Sequence, residues 1–256
     1  MQLKIYVVCD RGCVREHNED TILIGNKIFR DGKMELAVNL NKNKKFFVAI
    51  ADGLGGHNAG EVASEIVLRK MAETIEILEF NLSEKELFDK ISEQAKETHA
   101  YILEEGNRDP NKKGMGSTLI SLLLYNNKVY YLNVGDSRLY RFRNGNLRQI
   151  SKDHSLSEVT SNLNIPSNII INSFGGGEKI FIDFAPAGGK MFSDDIFLLC
   201  SDGLSDMLTD DEIEHILNTE KGNPVGKFLT EANNKGGKDN ISIMLLNIHI
   251  PTAEQT

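Results

Sequence analysis

Cysteine is scarce in this chain of 256 residues, and an odd set of three, Cys9, Cys13 and Cys200, cannot close completely into disulfides. No basic-then-apolar stretch of the secretory kind opens the sequence, so a reducing cytoplasm is the expected compartment. Long apolar runs are missing too. The longest, 119–125 and 244–250, fall well short of the roughly 20 residues a membrane helix needs, and no membrane span is expected. Positive charge is in deficit: 29 Lys and Arg face 37 Asp and Glu, for a net charge of -8. A general binder of nucleic acid or anionic membrane needs a basic face, so no nucleic-acid partner is expected. There is no Pro/Gly/Ser-rich linker, internal repeat or low-complexity tract. Residues 1–250 therefore read as a single domain, with 251–256 as a C-terminal tail. The 40% hydrophobic content is enough for a sizeable core.

What is present is a series of strand-like segments rich in Ile, Val, Leu and aromatics, at 46–51, 118–124, 129–134, 139–142, 196–200 and 241–250. Asn144-Gly145, between two such segments, predicts a type I′ hairpin because both residues accept positive φ. Helical stretches are predicted at 59–78 and 83–105. In the second, Leu87, Phe88, Ile91, Ala95, Ile102 and Leu103 share a face, and Ser83 with Glu86 forms a capping box. Thr209 and Glu212 offer another box, and Asn223-Pro224 opens a last helix that Gly236 closes. Antiparallel strands interrupted by helix pairs predict an α+β fold: a four-layer α-β-β-α sandwich, two mainly antiparallel sheets flanked by helix pairs.

Twice an apolar run ends in Asp-Gly, at Asp52-Gly53 and at Asp202-Gly203. One such pair alone is an ordinary turn. Together with Asn18-Glu19-Asp20 and Gly237-Lys238-Asp239-Asn240 they bring several carboxylates to strand ends, where they would repel one another and lose solvation unless cations neutralise them. Oxygen ligands without a His or Cys cluster select a hard ion, Mg²⁺ or Mn²⁺, over zinc. The loop Gly53-Leu54-Gly55-Gly56-His57 follows a strand and precedes a helix, as a nucleotide loop does. The dinucleotide fingerprint, however, needs glycine at position 58, which is Asn58. Cys9 to Arg15 fits the Cys-x5-Arg loop of cysteine-dependent phosphatases, but Glu16, Glu19 and Asp20 follow at once and would repel phosphate.

The ordered motifs Gly12-Cys13-Val14-Arg15-Glu16-His17-Asn18-Glu19-Asp20, Asp52-Gly53-Leu54-Gly55-Gly56-His57, Gly116-Ser117-Thr118, Asn133-Val134-Gly135-Asp136-Ser137-Arg138, Asp153-His154-Ser155, Cys200-Ser201-Asp202-Gly203-Leu204 and Asp239-Asn240-Ile241-Ser242 resemble those of the metal-dependent protein phosphatases, the protein phosphatase 2C family, and its bacterial branch most. The resemblance runs along nearly the whole chain. It implies a β-sandwich between helix pairs with two Mn²⁺ or Mg²⁺ ions in a cleft at one end. Asp52 would bridge the ions. The Gly53 carbonyl and Glu19, directly or through water, would serve one ion, and Asp202 and Asp239 the other. Asp20 would stand behind these ligands. A water made acidic by two cations would attack phosphorus in line, with no phosphoenzyme.

Arg15 is the candidate phosphate clamp, since its fork can pair with two phosphoryl oxygens; without the resemblance, a surface pair with Glu16 or Glu19 would be the reading. Eukaryotic members carry a histidine directly after the first Asp-Gly, proposed as the leaving-group acid, where this chain has Leu54; His57 could protonate the departing oxygen, although a lone histidine in a glycine loop is more often structural. Lys112-Lys113-Gly114-Met115 precedes Gly116 where some bacterial members have an acidic residue, and Asp109 is the nearest carboxylate, which argues against a third ion. Asp136 with Arg138, and Asp153 with His154, read as structural. Residues 155–177 are shorter than the flap of many relatives, and 162–177 read as a mobile rim anchored by Ile169, Ile170 and Ile171.

The resemblance implies a signal-transduction hydrolase that removes phosphate from phosphoserine and phosphothreonine in proteins, reversing a Ser/Thr kinase, with phosphoproteins and that kinase as partners. The alternative is a non-catalytic pseudophosphatase that binds phosphoproteins or a kinase. The presence of Glu19, Asp52, Asp202 and Asp239 favours activity.

Overall fold

Along β1 (Gln2–Asp10), Leu3, Ile5, Val7 and Cys9 enter one apolar core while Tyr6 and Val8 enter another, so this strand is covered on both faces. The period of two in a strand makes that possible only if layers lie above and below it. The computed structural model describes residues 1–40, 45–55, 58–160, 169–189, 191–220 and 222–250, so the predicted tail 251–256 and His57 lie outside the described residues.

The remaining strands are β2 (Thr21–Ile24), β3 (Lys27–Phe29), β4 (Gly32–Asn39), β5 (Phe46–Ala51), the short β6 (Gly53–Leu54) and β7 (Gly116–Ser117), β8 (Leu119–Tyr125), β9 (Lys128–Val134), β10 (Arg138–Arg143), β11 (Asn146–Gln149), β12 (Asp183–Pro186), β13 (Ile196–Cys200) and β14 (Ile241–His249). Helices are α1 (Asn58–Ile77), α2 (Glu84–Arg108), α3 (Leu156–Thr160), α4 (Asp202–Ser205), α5 (Asp210–Thr219) and α6 (Val225–Asn234). One six-stranded sheet runs β11-β10-β13-β14-β1-β4, the other β12-β9-β8-β5-β2-β3. Their pairings are antiparallel.

The first core lies between the sheets, with Ile5, Val48, Ile120, Leu199 and Met244 among its members. A second joins the β5-β8 sheet to α1 and α2 through Ala49, Leu123, Val67, Leu68 and Ile91. The third joins the β1-β14 sheet to α4, α5 and α6 through Tyr6, Leu245, Leu204, Ile213 and Phe228. This is the expected α-β-β-α order. It explains why antiparallel strands here read as unbroken apolar runs, where a sheet with one wet face would alternate.

Local signals behave as the chemistry predicts. Asn144 and Gly145 take φ of 52° and 81° in the β10–β11 turn. Both capping boxes form, Ser83 with Glu86 and Thr209 with Glu212. Tyr125, buried on β8, donates its hydroxyl to the Glu79 carbonyl at 2.6 Å and accepts from the Leu82 N–H at 2.9 Å, tying the α1–α2 connection to the sheet.

The segment after β11 differs in part from the expectation. The isoleucines anchor it through the backbone, Ile169 accepting from the Leu156 N–H at 2.8 Å and Ile171 donating to the His154 carbonyl at 2.9 Å, but the side chains of Ile169 and Ile171 are exposed. The apolar anchor is Phe174, fully buried, whose backbone exchanges hydrogen bonds with Ser117 at 2.9 and 3.0 Å. The predicted rim at 162–177 falls in part on 161–168, outside the described residues.

Phe228 is completely buried against the β1-β14 sheet, so Phe228→Ala should cost about 3–5 kcal/mol of unfolding free energy, measured by urea denaturation. His99 on α2 is buried and its Nδ1 accepts from the Gly175 N–H at 3.1 Å, while burial lowers its pKa below the ordinary 6.5. The unfolded chain therefore takes up the proton first, and this group's stabilisation, present above pH 6.5, is lost as pH falls. His99→Gln, which keeps an acceptor without titrating, should flatten the fall in melting temperature between about pH 6.5 and 5 relative to wild type.

Candidate active site

Polar residues appear where strands leave the cores. Asp52 follows β5, Ser201 and Asp202 follow β13, and Asp239 and Asn240 precede β14. Thr21, which opens β2, lies opposite Ala51 of β5, so Asp20 and Asp52 adjoin at one end of their sheet. In the other sheet Asp10 pairs with Ile241 and Cys200 with Ile243, bringing the loop after β1, Asp202 and Asp239 together at the end of the strands they flank.

The carboxylates are electrically coupled. Burial raises the pKa of Asp52 well above the usual carboxylate value, and Asp20, Asp202, Asp136 and Asp239 raise it further. Asp202 is raised by burial and then by Asp136, Asp239, Asp206 and Asp20. Asp20, fully buried, is pushed up to about 7 by burial, although its Oδ2 accepts from the Ser201 hydroxyl at 2.8 Å. Oδ1 of Asp20, Asp136 and Asp202 is buried without a hydrogen-bond partner. Among the described residues no three His, Cys, Asp or Glu side chains are gathered into a ready-made ligand set.

The motif residues hold this arrangement through the backbone. Thr118 donates its N–H to the Asp52 carbonyl at 2.9 Å and its Oγ1 accepts from the Asp52 N–H at 3.0 Å, gripping Asp52 from both sides. Gly53 and Gly60 allow a close approach: a Cβ on Gly53 would lie 2.3 Å from the Gly60 carbonyl oxygen, and one on Gly60 2.7 Å from Oε2 of Glu19. The Glu19 carbonyl accepts from the Ser64 hydroxyl at 2.7 Å, and the Glu19 N–H donates to Oδ1 of Asn240 at 2.8 Å.

Arg15 pairs with neither Glu16 nor Glu19. Its guanidinium donates to Oδ2 of Asp239 at 2.5 Å, with its side chain half exposed. The sequence reads Asp136 and Arg138 as structural, pairing or hydrogen-bonding around the turn; among the described residues no hydrogen bond or ion pair joins them, although the Arg138 charge still acts on Asp136. Arg138 forks onto both oxygens of Asp153, at 2.8 to 3.1 Å, leaving Asp136 buried, raised to about 6, and facing Asp153 and Asp206. Asp136 and Asp206 thus extend the carboxylate cluster beside Asp202, an involvement the sequence reading missed. The only available signal was the one-turn spacing of Asp202 and Asp206. Asp153 and His154 are structural, as expected: Nδ1 of His154 accepts from the Gly135 N–H at 3.1 Å, and its Nε2 faces Asp183 at 3.2 Å.

Cys9 ends the cysteine-nucleophile alternative. It is fully buried in β1, contacts the Ser242 hydroxyl at 3.2 Å, and burial pushes its thiol up to about 12, so no thiolate faces a phosphate. Asp109, the candidate for a further ion, accepts from the Asn111 N–H at 2.9 Å as a cap.

The donor set fits hard cations. It consists of oxygens alone, includes buried atoms without partners, and comprises groups that raise one another's proton affinity, which is the electrostatic deficit a divalent ion removes.

The family model for protein phosphatase 2C matches residues 30–240. The chain is 33% identical over 249 residues to the serine/threonine phosphatase stp of Listeria welshimeri, covering 93% of this chain and 92% of that protein. The structure of the S. agalactiae serine/threonine phosphatase superposes with a TM-score of 0.81 at 26% identity, over 96% of this chain and 100% of the other. The catalytic domain of the phosphatase PstP, in complex with two manganese ions, superposes with a TM-score of 0.73 at 28% identity, over 96% of this chain and 99% of that one.

Asp202→Asn removes one of the mutually repelling groups. In EDTA the variant should unfold at a higher temperature than wild type at pH 7; in millimolar Mn²⁺ the order should reverse.

Proposed function

The chain belongs to the protein phosphatase 2C family, and on that premise we propose how its residues carry out the metal-dependent dephosphorylation of protein serine and threonine. The observation that supports the reading is the electrostatic influence that Asp202 and Asp239 exert on Asp52 from the flanks of three strands, with Arg15 hydrogen-bonded to Asp239. Residues 1–250 act as one catalytic unit, since both sheets share the core between them.

Two divalent cations, Mn²⁺ or Mg²⁺, would be held by Asp52, Glu19 and the Gly53 carbonyl on one side and by Asp52, Asp202 and Asp239 on the other. Bound there, they would supply the Lewis acidity that makes water nucleophilic near neutral pH and offsets charge on the phosphoryl oxygens. No third ion is proposed through Asp109. Asp20 braces the ligands from behind through Ser201, and Thr118 keeps the Asp52 and Gly53 backbone from turning away.

Arg15 binds and orients the phosphoryl group. Its guanidinium is half exposed and, among the described residues, hydrogen-bonded to Asp239 alone, so it can exchange Asp239 for the oxygens of a phosphate, pairing with two of them at once. His57 remains the proposed proton donor to the departing serine or threonine oxygen.

The protein is proposed to act in a bacterial-type cytoplasm on phosphoproteins made by a Ser/Thr kinase. Its cysteines are unpaired, and among the described residues no helix is long and apolar enough to cross a membrane.

With Mn²⁺ the protein should hydrolyse p-nitrophenyl phosphate and a phosphothreonine peptide, and EDTA should abolish both. Asp52→Asn and Asp239→Asn should lose more than the roughly 100-fold that removing an outer partner of a metal ligand costs. Arg15→Ala should raise KM roughly 10- to 100-fold, the worth of a charge-assisted hydrogen bond, with a smaller change in kcat. Full turnover in both Asp variants would overturn the ligand assignment. Absence of turnover together with an unchanged melting temperature in Mn²⁺ would favour the pseudophosphatase.

A further inference from the structure

Asn240 makes three hydrogen bonds with one side chain, all to the segment that carries Arg15 and Glu19. Its amide nitrogen donates to the Arg11 carbonyl at 3.0 Å and to the His17 carbonyl at 2.9 Å, and its Oδ1 accepts from the Glu19 N–H at 2.8 Å. The network fixes which way the amide points, because the flipped group would set oxygen against two carbonyls and NH2 against an N–H. The side chain is buried, so these partners cannot be exchanged for water without cost.

One NH2 group therefore gathers both ends of the bulge between Arg11 and His17, and Arg15 stands on that bulge. Two further contacts set the bulge against the start of β14. The Cys13 N–H donates to the Gly237 carbonyl at 2.8 Å, and Gly12, at φ +77°, lies so close to Asp239 that a Cβ would come within 2.2 Å of its carbonyl oxygen. The Arg15 guanidinium then reaches Asp239, the neighbour of Asn240 in sequence.

We propose that Asn240 is a positioning residue for phosphate binding: by clasping the Arg11 and His17 carbonyls it presents Arg15 to the phosphoryl group in a preordered loop. The inference rests on the reading of Arg15 as the phosphate clamp. An unclasped bulge would lose conformational freedom on each binding event, and that loss would be subtracted from phosphate affinity.

The test is a double-mutant cycle of Asn240→Ala and Arg15→Ala at saturating Mn²⁺, with inorganic phosphate as competitive inhibitor of p-nitrophenyl phosphate hydrolysis. Asn240→Ala should weaken phosphate inhibition and raise KM by about fivefold or more, with kcat changed less, and should add little in the Arg15→Ala background. Hydrogen exchange of the 11–17 amides should accelerate while the strand amides keep their protection. Additive effects of the two substitutions, a fall in kcat at unchanged KM, or unchanged exchange across 11–17 would overturn the role of Asn240 and leave the clamp standing. Arg15→Ala that binds phosphate like wild type would overturn the clamp and this inference with it. Should Asn240→Ala not fold, Gly12→Ala pushes the same bulge off the Asp239 carbonyl. It should show the same loss of phosphate affinity and the same lack of additivity with Arg15→Ala, and additivity there would equally refute the clasp.

Discussion

Burial raises the proton affinity of the Asp20, Asp52, Asp136 and Asp202 carboxylates, neighbouring carboxylates raise it further, and the surrounding structure keeps these groups at one end of the strands. Side chains alone could rotate apart, so the restraint lies in the backbone. Thr118 grips Asp52 at both its N–H and its carbonyl, Ser64 and Asn240 hold the two sides of Glu19, and the Asn240 N–H donates to Oδ1 of Asp239 at 2.8 Å. Each of these hydrogen bonds contributes about 1 kcal/mol, and together they oppose an electrostatic strain the same carboxylates would otherwise relieve by moving. The strain is the functional reserve, since a cation that binds only the folded cleft stabilises it by relieving that repulsion.

The sandwich decides where such a cluster can exist. With helices over both sheets and a core between them, side chains along the middle of β5, β13 and β14 face apolar matter on either side. A charge there would be stranded. Only at the strand ends does the chain leave those cores, and antiparallel order alternates strand ends with strand starts, so residues far apart in sequence meet at one rim. Glycines at Gly53 and Gly60 then let α1 close on the Glu19 segment to distances a side chain would forbid.

Much of this was legible in the sequence because its signals are local. Apolar runs ending in Asp-Gly marked strands and the carboxylates that follow them, and the hairpin at Asn144-Gly145 and both capping boxes rest on chemistry within four residues. What was not legible depends on distant partners. β4 is an edge strand with a largely exposed pattern, so no apolar run marks it. Asp136 sits two residues from Arg138, and proximity in sequence suggested a pair. In the fold Asp153 claims Arg138 with a fork, which sends Asp136 into the cluster. Three successive isoleucines suggested an anchor for the rim, and they anchor it through the backbone, but in extended chain Ile169 and Ile171 point the same way and face solvent, leaving Phe174 to enter the core. His57 falls outside the described residues.

The contrast between the two arginines beside the cluster shows why one suits substrate and the other suits the frame. Arg138 is largely buried, forked on Asp153 and in contact with the Tyr140 hydroxyl at 3.1 Å. Withdrawing it would leave a buried carboxylate uncompensated, which is expensive. Arg15 is 52% exposed and meets an Asp239 carboxylate that is itself 31% exposed, a pair whose rupture costs little because water and other ions can take either side. Asp239 is thereby a junction: its Oδ1 accepts from the Asn240 N–H, its Oδ2 from Arg15, and its charge acts on Asp52 and Asp202. If Asp239 holds a cation as proposed, that ion would compete with Arg15 for the carboxylate, and the arginine so released would be free for a phosphoryl group, coupling the two proposed roles through one side chain.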